Sequence, residues 1–324
     1  MGNPFAPQIG KFSSNDSFDD LDELDKLSAG KSILTPTQRA AREDDAKWAL
    51  KLINDFAAET TTGAFPSLDR GEVAKQLKIR VADPTRINQS NTWLCGVTSV
   101  MRAWAQDSPI DYAWLGIQLF NLGRGRLGKG QMLGQIVTPS ADLRRSSLPH
   151  GMEEADWIVL ASVHEALTLK FGSVFQDALG KLGGRNYTSD EGFQHYRAWQ
   201  TAEEVAGAYK ATGYRNVVDN TTYTSNKGIK DLEKANEYLR AGYRVSLLIN
   251  MRLLQDEKMG GQSMIAHSDH WIGMLEPINV MGDFIWAFNV FTWGKKRRVP
   301  EKGDKIKVTD FINQFYGFVA ARMY

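Results

Sequence analysis

The chain has 324 residues, 39 basic and 38 acidic side chains, a formal net charge of +1 and a single cysteine. The near balance of charge argues against a nucleic-acid partner held by bulk electrostatics, and one cysteine excludes an internal disulfide framework or a multi-cysteine zinc site. There is no apolar run of membrane-spanning length and no basic-then-apolar secretory signal. We therefore expect a cytoplasmic protein without a membrane partner, or one exported without a classical signal peptide.

The N-terminal segment, residues 1–35, is mostly polar, and residues 19–25 are rich in Asp and Glu. This composition buries too little apolar surface to fold alone, and it predicts a disordered or flexible leader. A recognition tail for a loading partner or a secretion machine is the alternative. Residues 36–324 show no internal repeat and no linker between two cores, which predicts a single domain.

Helical periodicity dominates the chain up to about residue 241. Apolar residues fall at helical spacing from Cys95 to Gln106, and Pro109 ends that helix. The stretch from Thr60 to Ser90 contains two prolines and predicts a loop. The other predicted helices cover Thr37–Glu59, Asp111–Leu122, Met152–Lys170, Thr201–Gly213 and Lys230–Ala241.

Residues 123–134 are rich in glycine and arginine. The run Gly123-Arg-Gly125-Arg-Leu-Gly128 formally fits the dinucleotide-binding pattern. That pattern needs a strand before it and a helix after it, whereas here a predicted helix precedes it. We therefore expect a mobile loop at a cleft, not a nucleotide site.

Strand patterns follow the helices. The predicted strands are Tyr243–Asn250, His270–Leu275, Phe284–Val290, Arg297–Val299, Lys305–Val308 and Gly317–Met323, with a short helix capped by Thr309-Asp310 before the last one. Helices first and antiparallel strands last indicate an α+β fold. In such a fold, the helix that begins at Cys95 would pack on the C-terminal sheet.

Cys95 stands in the run Gln89-Ser-Asn-Thr-Trp-Leu-Cys95-Gly96, at the start of its predicted helix. A buried structural cysteine is the commonest role of a lone thiol. A helix N-terminus, however, lowers the pKa of a thiol, and the amide of Gln89 could reach an oxyanion formed on attack. Gly96 would leave room for a substrate that approaches the sulfur. The combination favours a nucleophile.

His270 opens a predicted apolar strand, where a general base could face a cleft. His267 is the alternative base, and the two histidines alone are too few for a metal site. Asn289 would hydrogen-bond one imidazole nitrogen and fix its tautomer, with Asp283 as the alternative and Trp293 as a shield against water. Surface or packing roles are expected for the other histidines, His150, His164 and His195.

In the order Gln89, Cys95, His270 and Asn289, the chain resembles the papain superfamily of cysteine peptidases. The Cys-Gly pair before an apolar helix and the Asp-His strand are similar to the bacterial branch that includes the bacteriocin leader-processing peptidases. The resemblance implies a papain-like fold with nucleophile, base, orienting residue and oxyanion donor in these positions. The chain departs from the family in two features. Asn289 and Trp293 are four residues apart instead of two, and residues of about 107–230 would form a mostly helical insertion.

The resemblance implies acyl transfer without a metal or organic cofactor. The thiolate of Cys95, paired with His270, would attack an amide carbonyl, and water would hydrolyse the thioester. The expected substrate is a protein or peptide, and the expected setting is a bacterial effector or toxin with a secretion or immunity partner. The alternatives are a papain-fold amidase acting on peptidoglycan, a glutamine deamidase, or a catalytically idle papain-like binding module.

Overall fold

The structure is a computed structural model that describes residues 36–128, 134–171, 200–222, 226–254 and 270–323. For residues 36–39 and 168–171 it describes the backbone alone. The described residues belong to one compact unit, Ser32–Tyr324. Three features predicted from the sequence lie outside them: the leader, His195 and His267.

Ten helical segments lie within the described ranges. They are α1 (Pro36–Ala57), α2 (Arg70–Ala82), α3 (Cys95–Asp107), α4 (Pro109–Leu122), α5 (Ala141–Arg145), α6 (Glu154–Asp156), α7 (Ser162–Phe171), α8 (Ala202–Ala211), α9 (Ile229–Arg240) and α10 (Val308–Ile312). A π-helical stretch, Trp157–Ala161, joins α6 to α7, and 3₁₀ turns occupy Pro84–Arg86 and Met251–Leu254. Within the described residues, no helix has the length and apolar character that crossing a membrane requires.

Helix α2 corrects the prediction of a loop from Thr60 to Ser90. Asp69 caps its first turn by accepting a hydrogen bond from the backbone N–H of Glu72 at 2.9 Å. Its apolar face, which includes Val73 and Leu77, is fully buried. The prolines that indicated a loop in fact flank this helix on either side, where they do not interrupt it.

Eleven strands are described: β1 (Gly125–Leu127), β2 (Gln135–Val137), β3 (Arg215–Thr221), β4 (Arg244–Ile249), β5 (His270–Met274), β6 (Val280–Met281), β7 (Phe284–Trp286), β8 (Phe288–Thr292), β9 (Lys295–Val299), β10 (Lys305–Lys307) and β11 (Phe315–Arg322). The central sheet has the order β3-β11-β4-β5-β8-β9, and each of its pairs is antiparallel. Helices combined with antiparallel sheets confirm the α+β class.

The predicted strand Phe284–Val290 is two strands. Its first half, β7, pairs with β6 and β10 in a separate three-stranded sheet, and its second half, β8, joins the central sheet. The chain changes sheets at Ala287, whose N–H donates to the carbonyl of Asp304 at 2.8 Å. Asn289 therefore lies inside a strand instead of at the end of one.

The central sheet separates two apolar clusters. One contains α3, α4, α8 and the sheet residues Leu248, Trp271 and Val319. The other lies on the opposite face and contains α9, α10 and the alternate residues Leu247, Ile272 and Phe318. This alternation along β4, β5 and β11 follows the period of two that a strand imposes.

The segment predicted as an insertion contributes directly to this architecture. Its strand β3 pairs with β11 at one edge of the central sheet, and its helix α8 packs against α3. Thr201 and Glu204 form the predicted capping box at the start of α8. Gly123 ends α4 in the left-handed conformation. The glycine-rich run that follows contains β1, which pairs with β2. Residues 129–133 of this run lie outside the described residues.

Candidate active site

Cys95 is the first residue of α3. The preceding residue, Leu94, is the N-cap and offers no capping side chain. The thiol is buried, with 2 % of the residue exposed, and no disulfide involves it. The N-terminal N–H groups of a helix stabilise negative charge, so this position suits a thiolate or an oxyanion.

Helix α3 runs along β5 in the same direction. Ser99, one turn into the helix, lies next to Gly273, because a Cβ on that glycine would be 3.6 Å from Ser99 Oγ. Asp107, at the other end of the helix, accepts hydrogen bonds from Arg244. Arg244 is the first residue of β4, and because β4 is antiparallel to β5, Arg244 lies near the end of β5 that is remote from His270. The predicted nucleophile and base, which are the first residues of α3 and β5, therefore lie at the same end of the two packed elements.

The imidazole of His270 is held by two neighbours. Its Nε2 is 2.7 Å from Oγ1 of Thr292, and its ring stacks on Trp293 with a centroid distance of 4.5 Å and an interplanar angle of 22°. His270 and Thr292 are both buried. Burial and the nearby Arg297 guanidinium lower the pKa of His270 to about 3, so the ring is neutral near pH 7.

The predicted orienting residue Asn289 does not contact His270, and this corrects the prediction. Met274, the last residue of β5, pairs with Val290, so Asn289 lies just beyond that end of the strand. His270 is at the opposite end of β5, about 15 Å from Asn289 along the sheet. Its backbone N–H and Nδ2 both donate to Oε1 of Glu276, at 2.7 and 2.8 Å. Thr292 occupies the position beside the imidazole that was predicted for Asn289.

Asp283, the other predicted orienting residue, lies in the turn between β6 and β7, outside the central sheet. Its backbone carbonyl accepts a hydrogen bond from Val308 at 2.9 Å. This hairpin belongs to the small sheet, and Asp283 is therefore not the partner of His270.

Gln89 is buried in a tight turn just before α3. Its Nε2 donates to the carbonyl of Thr92 at 2.9 Å, and its own carbonyl accepts from the Thr92 N–H and hydroxyl at 3.1 and 2.6 Å. The turn that carries Trp293 packs here as well, because a Cβ on Gly294 would be 2.6 Å from Cβ of Asn88. One N–H of the Gln89 amide is thus fixed by the loop, and the second N–H of that amide is not used in this bond.

Gly96 is required by packing, which corrects the interpretation that it makes room for a substrate. A Cβ at this position would lie 2.6 Å from Oε1 of Gln200 and 2.8 Å from Cγ2 of Val205. The same Oε1 accepts a hydrogen bond from the backbone N–H of Val97, and the carbonyl of Gln200 accepts one from Nε1 of Trp271 at 2.9 Å. Gln200 therefore caps α3 and ties it to β5.

The other described histidines have no role at this site. His150 lies in an exposed loop, where its carbonyl accepts a hydrogen bond from Ser90. His164 is buried in α7, its Nε2 has no hydrogen-bond partner among the described residues, and burial lowers its pKa to about 4. Within the described parts of the chain, no three or more His, Cys, Asp or Glu side chains are grouped closely enough to hold a metal ion.

Two residues of this region were not anticipated from the sequence. Thr292 directly precedes the Trp293-Gly294 turn, and that adjacency is the signal that could have identified it. Gln200 had no such signal, because it acts on residues 97 and 271 from a distant part of the chain.

Comparison with family models, curated proteins and solved structures finds no match to this chain.

Proposed function

We propose that the protein is a thiol hydrolase of the papain type, with Cys95 as nucleophile and His270 as general base. The observation that carries the proposal is the imidazole held between Thr292 and Trp293 at the end of β5 where α3 begins with the only cysteine. Thiol acyl transfer uses a base with a fixed ring and a nucleophile at a helix N-terminus, and here these two groups are the first residues of β5 and α3, at the same end of the packed elements.

In the proposed reaction, Sγ of Cys95 attacks an amide carbonyl carbon while its proton passes to Nδ1 of His270. The oxyanion is held by Nε2 of Gln89 and by the backbone N–H of Cys95. The same proton then goes to the leaving amine, and water hydrolyses the thioester with His270 again as base. Peptide bonds are the proposed substrate; a glutamine side chain or a peptidoglycan amide involves the same bond changes.

Thr292 replaces Asn289 in this proposal as the residue that sets the tautomer. When Nε2–H donates to Oγ1 of Thr292, the lone pair lies on Nδ1, which can then accept the thiol proton. By strand alternation, Trp271 and Gly273 face α3, while His270 starts on the side of Ile272. Because His270 is the first residue of β5, its ring would reach the thiol of Cys95 past the end of the strand.

The low pKa of His270 changes the expected resting state. A ring with a pKa of about 3 does not hold a proton at neutral pH, so a standing thiolate–imidazolium pair is disfavoured. Proton transfer from the thiol would instead accompany attack on the substrate. This replaces the ion-pair mechanism that the family resemblance implied.

One observation favours a second candidate, a papain-like binding module without catalysis. Both reacting groups are nearly inaccessible, with 2 % of Cys95 and 3 % of His270 exposed. A catalytic site must admit a carbonyl group to the sulfur, whereas a binding module need not.

Alkylation of Cys95 separates the two candidates, since the chain has one cysteine and each adduct is counted unambiguously by intact mass. The rate of modification by iodoacetamide and by a peptidyl epoxide is measured from pH 5 to 10, beside hydrolysis of unfolded protein substrates. We expect the epoxide to react with wild type much faster than with His270→Ala. A rate that simply follows an ordinary thiol of pKa about 8.5 in both proteins, with no hydrolysis, would refute the enzyme. Release of ammonia without peptide cleavage would identify a deamidase instead.

A further inference from the structure

The small sheet β10-β7-β6 has one buried face and one exposed face. Val280, Ile285 and Ile306 belong to the apolar cluster that contains α9 and α10. Ile285 is fully buried, and its neighbours Phe284 and Trp286 lie on the opposite face because side chains alternate along a strand. This opposite face carries side chains that neither the fold nor the proposed reaction uses.

Five side chains form the exposed face, and the register between the strands fixes their arrangement. Phe284 of β7 pairs with Met281 on β6 and with Lys307 on β10. Trp286, two residues further along β7, pairs with Lys305 on β10. Directly paired residues of antiparallel strands place their side chains on the same face. We call these five residues the outer face. Its apolar side chains stand on β6 and β7, and its two lysines stand in a row on the edge strand β10.

The outer face is apolar where a solvated sheet face is ordinarily polar. Met281 is 65 % exposed and Trp286 is 44 % exposed, and the half-buried Phe284 lies next to both. An antiparallel sheet with one face in water normally carries polar residues on that face. Apolar side chains that are grouped on an exposed surface mark an interaction site.

The two lysines give this apolar face a positive edge. Nζ of Lys305 lies 4.0 Å from the ring centre of Phe284, a cation–π contact that holds the ammonium group over the sheet. Lys305 and Lys307 are both exposed, and neither forms an ion pair with a residue that the structure describes. The ring of Trp286 and the two ammonium groups are therefore presented to solvent together.

The chain around the outer face has an excess of positive charge. Residues 280–310 contain seven basic and four acidic side chains, whereas the whole chain has a net charge of only +1. Two of the acidic residues, Glu301 and Asp304, form ion pairs with arginines of β9 at 3.0 and 2.8 Å. Asp283 lies in the turn between β6 and β7, and Asp310 lies in α10. The lysines of β10 are thus suited to an anionic partner.

We infer that the outer face binds single-stranded nucleic acid, with a base stacked on Trp286 and phosphates paired with Lys305 and Lys307. A single strand carries its phosphates on one side and its bases on the other. This matches a face that has lysines along β10 and aromatic rings along β7. Proteins that bind single strands combine aromatic rings, on which bases stack, with basic groups that follow the backbone.

Other partners match the outer face less well. A lipid bilayer would bring Asp283, at the tip of the hairpin that carries Met281, close to the hydrocarbon, where a carboxylate is costly. A neutral sugar would stack on Trp286 but would leave both lysines without a counter-charge. The near-neutral charge of the whole chain excludes binding by bulk electrostatics, whereas the outer face acts through local contacts. The inference does not depend on Cys95, which belongs to the other apolar cluster.

The test is fluorescence anisotropy of a labelled oligothymidylate and a labelled oligouridylate, each of about twelve nucleotides, titrated with the full chain at several salt concentrations. We expect Trp286→Ser to weaken binding about 10-fold or more, as the loss of one stacked base does, and Trp286→Phe to keep most of the affinity. The exposed position of Trp286 allows both variants to fold, which their Tm values check.

A pair of charge variants tests the lysines. The double variant Lys305→Gln, Lys307→Gln should reduce the slope of log K against log salt by about 1.4, since each phosphate contact of a single strand contributes about 0.7. The double variant Lys47→Gln, Lys75→Gln is the matched control. It removes the same charge from exposed positions on α1 and α2 and should bind like wild type.

Three results would overturn the inference. The first is no binding of either oligonucleotide by wild type at protein concentrations up to about 100 μM, which cover the range of non-specific nucleic-acid binding. The second is a Trp286→Ser variant that binds as tightly as wild type. The third is binding to phosphatidylserine-containing vesicles in place of the oligonucleotides, which would identify a membrane-docking surface. Tighter binding of the oligouridylate would identify RNA as the ligand, and equal or tighter binding of the oligothymidylate would show that the 2′-hydroxyl is not recognised.

Discussion

Replacing Thr292 by valine tests which residue positions the imidazole. Valine has nearly the same shape but lacks the hydroxyl that lies 2.7 Å from Nε2 of His270. Both residues are buried, so the change leaves a polar N–H without a partner or allows the proton to move to Nδ1. We expect a loss of about 1–3 kcal/mol in the free energy of unfolding, the cost of an unsatisfied buried group.

The same substitution should slow the proposed chemistry by about 10²-fold, because a base with the wrong tautomer or a displaced ring accepts the thiol proton poorly. The assay is epoxide modification of Cys95 at pH 7, followed by intact mass, beside urea unfolding. Thr292→Ser, which keeps the hydroxyl, should restore most of the rate. Asn289→Ala is the matched control, since its side chain bonds to Glu276 far along the sheet. A slow Asn289→Ala beside an unaffected Thr292→Val would refute the assignment.

Three further substitutions test the packing and electrostatics of the fold. His164 has a folded-state pKa of about 4 against about 6.5 when unfolded, so the unfolded chain protonates first and stability falls with pH below 6.5. His164→Leu should therefore reduce the loss of unfolding free energy between pH 7 and 5 by about 2 kcal/mol in urea titrations, and an unchanged loss would contradict that shift. Gly96→Ala places a methyl carbon 2.6 Å from an amide oxygen and should lower stability by about 1–3 kcal/mol, whereas Gly228→Ala, with no atom within 4 Å of its added Cβ, should change it little. Asp156→Asn removes one of the two carboxylates that pair with the buried Arg80, while Glu153 keeps its contact at 2.6 Å. We expect a loss of about 1–3 kcal/mol, and a Tm equal to wild type would disprove the argument.

The helix that carries Cys95 could be predicted because its determinants are local. Apolar residues at helical spacing and a following proline define α3 with an accuracy of about one residue. The strand that begins at His270 is predictable for the same reason, since its apolar run is continuous. In an α+β fold the helix α3 packs on the sheet. Once that packing is known, it follows that Cys95 and His270 lie at the same end of α3 and β5.

The partner of His270 could not be predicted in the same way. Its identity depends on the register between β5 and β8, and that register is set by the change of sheets at Ala287. Residues 284–288 are all apolar, with nothing to mark the change of sheets, so the sequence predicts one strand and places Asn289 at the end of its apolar run.

Gln200 has a consequence for the order in which the site can form during synthesis. Its two hydrogen bonds, to Val97 and Trp271, span 103 and 71 residues of chain. At a synthesis rate of roughly 5–20 residues per second, several seconds pass between the emergence of Cys95 and that of Gln200, and several more before Trp271 follows. A nascent chain therefore has the thiol long before it has the cap and the strand that position it. Any catalysis by Cys95 would therefore require the completed fold.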